Sequence, residues 1–169
     1  MIDVVNLQRK IKLELAPIRS FVADLRISLK EAQNKTFTVA FVSDNRMKQL
    51  NEMFRGRSTT TDVLSFPYEP DEFDNCSNSQ NAGISMSDRD KERTQKQADG
   101  PTLASQFIGD IVISAEQAER QAGENRLTLE DEIKQLILHG LLHLCGYDHE
   151  SDNGEMNQRE LELREQLRV

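Results

Sequence analysis

The sequence predicts an α+β fold with α/β-like layers, in which one small four-stranded sheet is surrounded by about five helices. Two observations support this prediction. Segments rich in β-branched and aromatic residues alternate with segments of helical hydrophobic spacing, and such alternation favours a layered fold around one sheet. One helical segment, residues 136–145, is apolar almost all round apart from its histidines, which predicts a central, buried helix.

Four segments are predicted to be strands. Residues 2–5 form a short first strand, and residues 37–42 form a β-branched and aromatic one. Residues 63–66 form a short strand that Pro67 stops. Residues 107–113 are almost continuously apolar, which is typical of a strand buried on both faces.

The first two helices are predicted from apolar spacing and from their ends. Residues 12–32 have helical spacing, with Pro17 placed in a first turn. Ser43 or Asp44 caps a second helix, which Gly56 ends.

Three further helices follow the last predicted strand. Residues 114–117 read SAEQ, a capping box that opens the third helix. Thr128 caps the helix that carries histidines, and acidic residues 130–132 in its first turn favour the helix dipole. A charged helix at about residues 153–167 closes the chain.

A long polar stretch, about residues 71–106, separates the third and fourth strands. It is rich in Asn, Ser, Gln, Asp and Lys and has almost no large apolar side chains. Such a segment buries too little surface to offset the entropy of ordering, so we expect a mobile insertion. The length of 169 residues suits one core, and we expect residues 1–169 to form a single domain.

Composition restricts the location and the partners. The N-terminus has no signal-peptide pattern, no apolar run is long enough to cross a bilayer, and two cysteines do not make a disulfide framework. We therefore expect a cytoplasmic protein without a membrane partner. The net charge of −8 disfavours nucleic acid, yet residues 1–61 carry 11 basic and 6 acidic side chains. This excess fits a local basic surface for a polyanion, or an ordinary solvated surface of mixed charge.

The three histidines, His139, His143 and His149, all fall within eleven residues. His139 and His143 are four apart, so their rings lie on one helical face. Gly146 is suited to end the helix in a left-handed turn, which brings His149 back to the same point. Three converging imidazoles with a fourth position open are typical of a catalytic zinc site. We predict one Zn²⁺ per chain on these three ligands, with nickel, copper or iron as alternatives.

Two neighbours are candidates for further roles at this site. Cys145 is either a fourth ligand or, as we expect, small core packing. Asp148 is either a fourth ligand or, as we expect, an acceptor that orients an imidazole.

The residue after the first histidine distinguishes two kinds of chemistry. The spacing of the three histidines matches a metalloprotease signature, which places a glutamate general base where this chain has Gly140. Glycine cannot shuttle a proton to a leaving amine, but its small size is expected to leave room near the metal. Phosphodiester cleavage instead needs positive charge on phosphate oxygens. Arg55 and Arg57 can supply this charge, or are ordinary surface residues.

Residues 139–149, HGLLHLCGYDH, resemble the HGxLHLxGYDH signature of the YbeY family of bacterial metallo-endoribonucleases. Two further segments resemble that family in the right order. One is residues 51–56 followed by 61–67, and the other is residues 109–114. The resemblance covers most of the chain outside residues 71–106, which depart from the compact family pattern.

The resemblance implies a zinc-dependent endoribonuclease selective for single-stranded RNA. It implies action in 3′-end maturation of 16S ribosomal RNA and in late-stage ribosome quality control, with the ribosome or ribosomal proteins as partners. It also implies a small mixed sheet. The zinc ligands would be His139, His143 and His149, and the functional arginine would be Arg55. We predict Arg55 and His139 as catalytic residues, and Arg55 and Arg57 as substrate-binding residues.

Two alternatives remain at this point. A zinc metallopeptidase with metzincin-like histidine spacing would need a carboxylate from elsewhere in the fold. A non-catalytic ribosome-binding factor would use zinc only for stability.

Overall fold

The computed structural model describes residues 3–69, 107–148 and 153–169. The predicted mobile insertion and His149 lie outside these ranges. Within them the chain forms four strands and five α-helices, as the sequence predicts. The strands are β1 (Asp3–Asn6), β2 (Thr36–Val42), β3 (Val63–Pro67) and β4 (Phe107–Ser114). The helices are α1 (Leu15–Ser28), α2 (Asp44–Arg55), α3 (Ala115–Asn125), α4 (Leu129–Leu144) and α5 (Glu155–Leu167).

The sheet is mixed and has the order β1-β2-β4-β3. Strands β1, β2 and β4 run parallel, and β3 pairs antiparallel with β4. Strand β4 therefore has a partner on both sides, which explains its continuous apolar sequence. Pro67 was expected to stop the strand but is its last residue, paired with Gly109. This is tolerated because β3 pairs on one side only within the described ranges, and an edge strand has less need of every backbone N–H.

The two faces of the sheet are covered differently. Helices α1, α4 and α5 contribute to the main core on one face, where Phe41 and Ile113 are fully buried. Helix α2 packs on the other face, where Met47 covers Leu64 and Val112. Alternation along the strands produces this division, since successive side chains point to opposite faces. Helix α4 is buried along most of its length, as its apolar sequence predicts.

The predicted helix caps are confirmed, and one helix is shorter than predicted. The side chains of Ser43, Ser114 and Thr128 each accept a hydrogen bond from the backbone N–H three residues later. Helix α1 was expected to span residues 12–32 but ends at Ser28, and Lys30–Ala32 forms a separate 3₁₀ turn. The chain leaves the helix at Leu29, where the break places both Leu29 and Ala32 in the core.

The described helices were also compared with the length and hydropathy that a membrane span requires. None of them is both long and apolar enough to cross a bilayer.

Candidate metal centre and the adjoining cavity

The end of α4 is closed by a tight turn directly after the second histidine. The N–H of Gly146 donates to the carbonyl of His143, and the N–H of Tyr147 donates to the carbonyl of Leu142. Gly146 has a φ of +92°, which lies in the left-handed region that favours glycine. These contacts form the left-handed C-terminal turn that the sequence predicts, and they return the backbone towards the histidine face.

His139 and His143 lie side by side on the half-buried face of α4. Their Nε2 atoms are 3.2 Å apart, and their rings meet edge to face at an interplanar angle of 81°. Two imidazole lone pairs at this distance repel each other, and a shared cation or proton converts the repulsion into attraction. The predicted pairing of the two rings is therefore present, with the two Nε2 atoms next to each other.

The other nitrogen of each ring has a defined acceptor. His139 Nδ1 donates to Oε2 of Glu160 on α5 over 3.1 Å, and His143 Nδ1 donates to the backbone carbonyl of Tyr147 over 3.1 Å. A carbonyl only accepts, so His143 carries its proton on Nδ1 and presents a lone pair on Nε2. The carboxylate does the same for His139. Metal-binding histidines are held in this way in most metalloproteins.

Glu160 is held in its charged form at this position. Its side chain is largely buried, and burial alone would raise the pKa of the carboxyl. The hydrogen bond with His139 and the charge of Arg164, which donates to its other oxygen, outweigh burial and lower the pKa. Glu160 is therefore ionised at neutral pH and accepts a hydrogen bond from both neighbours.

The geometry of the two imidazoles fits a zinc ion. With Zn–N distances of about 2.05 Å and tetrahedral angles, two ligand nitrogens lie about 3.3 Å apart, close to the 3.2 Å found between the two Nε2 atoms. The third predicted ligand, His149, lies outside the described ranges. Within those ranges no three His, Cys, Asp or Glu side chains are grouped to hold a metal, so the described part contains two of the three predicted ligands.

A cavity of about 600 Å³, here called the arginine cavity, lies over the two histidines. Arg55 and Arg57 line it together with Asp62, Ser65, Asp148 and the two imidazoles. Both arginines are exposed, Arg55 at the end of α2 and Arg57 in the loop that follows it. The structure thus brings the two predicted arginines and two predicted ligands to one cavity, although they are more than 80 residues apart in sequence.

The segment after α2 is fixed by two local features. Gly56 has a φ of +64° and ends the helix, as the sequence predicts. The buried side chain of Asn51 donates to the carbonyl of Thr59 over 2.8 Å, which ties the following loop back to the helix. Asn51 therefore has a structural function, because this bond holds the loop that carries Arg57.

Comparison with known proteins identifies the family. The sequence model of the family described as Endoribonuclease YbeY matches residues 3–168. The chain belongs to this family. Its name denotes endoribonucleases, which are hydrolases that act on RNA.

Individual relatives agree with this assignment. The chain is 32% identical over 166 residues to the endoribonuclease YbeY of Syntrophus aciditrophicus, covering 96% of this chain and 86% of that protein. It is 32% identical over 177 aligned positions to the endoribonuclease YbeY of Clostridium beijerinckii, covering 100% and 98%. The solution structure of TM1509 from Thermotoga maritima is similar with a TM-score of 0.57 and 25% identity, covering 99% and 89%.

One expectation about the YbeY-type motif was wrong. Gly140 was expected to leave room close to the metal. A Cβ at this position would lie 2.8 Å from Cγ2 of Ile111 and 3.2 Å from Oγ of Ser65. A side chain at position 140 would therefore point at the sheet. The absence of a Cβ allows α4 to approach β3 and β4 closely. Ser65 also donates to the carbonyl of Gly140 over 3.2 Å.

The two neighbouring candidates behave differently. Cys145 packs against the main core, as expected, and burial raises the pKa of its thiol to about 11. Asp148 lines the arginine cavity, but the acceptors for Nδ1 of His139 and His143 are Glu160 and the Tyr147 carbonyl. The expectation that Asp148 orients an imidazole stays a prediction, because His149 lies outside the described ranges.

Glu160 is a candidate site residue that was not predicted from the sequence. A signal was present in α5, where buried Met156 and Leu163 define the inward face of the helix. Glu160 lies four residues after Met156 and three before Leu163, so it shares that face. A carboxylate on the buried face of an amphipathic helix needs a partner, and the nearby histidine helix provides one.

Proposed function

We propose that this chain is a zinc-dependent endoribonuclease that cleaves single-stranded RNA. One observation carries the proposal: the Nε2 atoms of His139 and His143 lie 3.2 Å apart, at the wall of a cavity lined by Arg55 and Arg57. His139, His143 and His149 would hold the metal, with His149 contributed by the segment after the Gly146 turn. Zinc suits neutral imidazole ligands, and other divalent transition metals are possible occupants.

Protein groups position the metal ligands and bind the phosphate. When bound, the metal supplies Lewis acidity that stabilises charge on a phosphoryl oxygen and makes water a better nucleophile. Glu160 and the Tyr147 carbonyl hold the two imidazoles with the two Nε2 atoms next to each other. Arg55 and Arg57 bind phosphate oxygens, and the planar guanidinium of Arg55 offers two parallel donors to the phosphate that is cleaved.

The same arrangement gives less support to peptide hydrolysis. A protease with this histidine spacing has a glutamate directly after the first ligand. Here that position is Gly140, which faces Ile111 and Ser65 in the sheet. Alkoxide leaving groups of RNA benefit directly from metal and arginine charge, whereas an amine leaving group needs a proton donor. The site is therefore better suited to a phosphodiester than to a peptide.

The preference for single strands follows from the position of the metal ligands. His139 and His143 are half-buried, at the wall of the arginine cavity rather than on a flat surface. A flexible single strand can lower one phosphate into the cavity, whereas a stiff duplex cannot bend its backbone locally without loss of stacking. We therefore expect duplex RNA to be cleaved more slowly.

The proposed biological role follows from the family. Resemblance to YbeY endoribonucleases supports action in 3′-end maturation of 16S ribosomal RNA and in late-stage ribosome quality control. The partners would then be small-subunit ribosomal RNA and the ribosome or ribosomal proteins. The excess of basic residues in positions 1–61 is consistent with a polyanionic partner.

One experiment tests the reaction class. Metal-loaded protein is incubated with labelled single-stranded RNA, the matching duplex and casein, with and without a chelator. We expect chelator-sensitive cleavage of single-stranded RNA, slower cleavage of duplex and intact casein. His143→Ala should lose both zinc, measured by elemental analysis, and RNA cleavage. Chelator-sensitive cleavage of casein with intact RNA would instead establish a peptidase. Retention of zinc with neither substrate cut would establish a zinc-stabilised binding factor.

A further inference from the structure

A second cavity of about 620 Å³, here called the amide cavity, adjoins the candidate site. It shares His139 and Asp62 with the arginine cavity, so the two meet at the first predicted metal ligand. Helices α3, α4 and α5 form its walls. Three amide side chains line it, namely Gln121, Asn125 and Gln135.

The charge of the amide cavity excludes a phosphate as its main occupant. Four carboxylates line it, those of Asp62, Glu124, Glu132 and Glu160, against the single guanidinium of Arg164. An RNA phosphate would be repelled here, whereas the arginines on the other side of His139 attract it. The two cavities therefore differ in the part of an RNA chain that each can accept.

The carboxylates also do not form a metal cage. No group of three or more His, Cys, Asp or Glu in the described ranges is close enough to hold an ion. The four carboxylates are instead distributed along the cavity, and the volume of this cavity is typical of sites for organic ligands. Glu132 is engaged with Asn125 Nδ2 over 3.0 Å, and Asp62 accepts from Gln121 Nε2 over 3.2 Å.

Hydrogen-bonding capacity is left over in the same walls. Among the described residues, two buried side-chain atoms have no hydrogen-bond partner, Oε1 of Gln121 and Nε of Arg164. Both residues line the amide cavity. Buried polar atoms in native proteins are almost always paired, but these two have almost no accessible surface, so the accessible carboxylate and amide groups of the walls are the ones that meet a ligand. Leu127 and Leu136 supply apolar surface for the face of a ring.

We infer that the amide cavity binds the nucleobase next to the scissile phosphate, while the arginine cavity binds that phosphate. This inference rests on the proposed function. Carboxylates and amide oxygens accept from exocyclic amino groups, so the cavity selects adenine, cytosine or guanine over uracil. Unstacked bases in single-stranded RNA expose these groups, whereas pairing in a duplex occupies them.

The decisive experiment measures base preference rather than total activity. Single-stranded RNAs that differ at one nucleotide on either side of the cleaved bond are compared for relative kcat/KM. We expect the native protein to prefer amino-bearing bases over uracil at one of these positions by about tenfold, within the range of one good base contact. The double variant Gln135→Leu, Glu124→Gln should reduce this ratio below about threefold. Glu119→Gln, on the exposed side of α3 and outside both cavities, makes the same charge change and should keep the ratio.

A binding measurement keeps the inference testable independently of cleavage. His143→Ala, which is expected not to cut RNA, is titrated with short cytidine and uridine oligonucleotides, with and without the double variant. Tighter binding of cytidine that is lost in the double variant supports the cavity even if the catalytic proposal fails. Equal ratios in native, control and double-variant proteins would overturn the base-binding inference and leave the endoribonuclease proposal standing. Absence of any RNA cleavage by native protein would overturn the latter alone.

Discussion

Nδ1 of His139 lies 3.1 Å from Oε2 of Glu160, which joins helix α4 to helix α5 across 21 residues of sequence. The same carboxylate accepts from Arg164 through its other oxygen. The last helix therefore has a direct effect on the orientation of the first predicted metal ligand. Carboxylates in this position fix the tautomer of a ligating imidazole and increase its basicity.

Removal of this carboxylate should weaken metal binding. We expect Glu160→Ala to lower zinc affinity by about 10- to 100-fold, measured by competition with a chelator of known affinity. Glu160→Gln keeps an oxygen acceptor and should lose less. Glu165→Gln, on the exposed side of the same helix, is the matched control. Native zinc affinity in a folded Glu160→Ala protein would contradict the role of Glu160.

Arg55 should act on the reaction rather than on metal binding. Arg55→Ala should lower kcat by roughly 10²- to 10³-fold, the usual effect of losing one donor that stabilises transition-state charge. Arg55→Lys should recover only part, because lysine lacks the planar fork. Both variants should keep zinc and melting temperature. Arg46→Ala removes an exposed arginine from the same helix outside the cavity and should cut RNA normally. Unchanged kcat in Arg55→Ala would show that Arg55 is ordinary surface charge.

Substitution of Gly140 should lower the stability of the folded protein. In Gly140→Ala the new Cβ would lie 2.8 Å from a methyl group of fully buried Ile111, so overpacking should lower the free energy of unfolding by about 1–3 kcal/mol. Gly140→Glu should be still less stable and should not create a protease. Gly123→Ala is the control, because nothing lies within 4 Å of its Cβ, and helix propensity should stabilise it by about 0.5–1 kcal/mol. Urea unfolding measures both. Equal stability of Gly140→Ala and native protein would refute this packing.

Asp44 should make stability depend on acid pH. Partial burial alone would raise the pKa of Asp44, but hydrogen bonds from Ser114 and Arg120 and the charge of Arg120 lower it. A carboxyl whose pKa is lower in the folded state stabilises fully above its unfolded pKa of about 3.9. That stabilisation is lost as pH falls from about 4 through the lower folded pKa.

Urea unfolding of Asp44→Asn between pH 2 and 7 tests this. The variant should be less stable than native protein at pH 7, and the difference should shrink as pH falls below about 4. Asp24→Asn, an exposed position on α1, should follow the native curve. A difference that stays constant from pH 7 to pH 2 would show that ionisation of Asp44 does not contribute to folding.

Strand β3 shows that a local sequence pattern can predict the presence of a strand but not its direction in the sheet. Residues 63–66, VLSF, followed by Pro67, predict a short strand, and the structure has one at Val63–Pro67. Its antiparallel direction against β4 was not predictable from those residues. Direction depends on the partner strand, which the chain reaches only after residues 71–106, and no local signal spans that distance. The mixed sheet was expected only from the family resemblance.

Local patterns in the sequence are sufficient to predict the elements and the pairing of the first two histidines. Hydrophobic period, capping residues and the i, i+4 spacing of His139 and His143 are local properties, because a helix fixes its own neighbours at these separations. Tertiary structure decided the rest: the contact of His139 with Glu160, the packing of Gly140 on Ile111, and the two cavities that meet at His139. The contacts of His139 with Glu160 and of Gly140 with Ile111 join residues at least 21 positions apart. They depend on how the helices pack on the sheet and on each other to bury apolar surface, which the spacing of residues in the sequence does not specify.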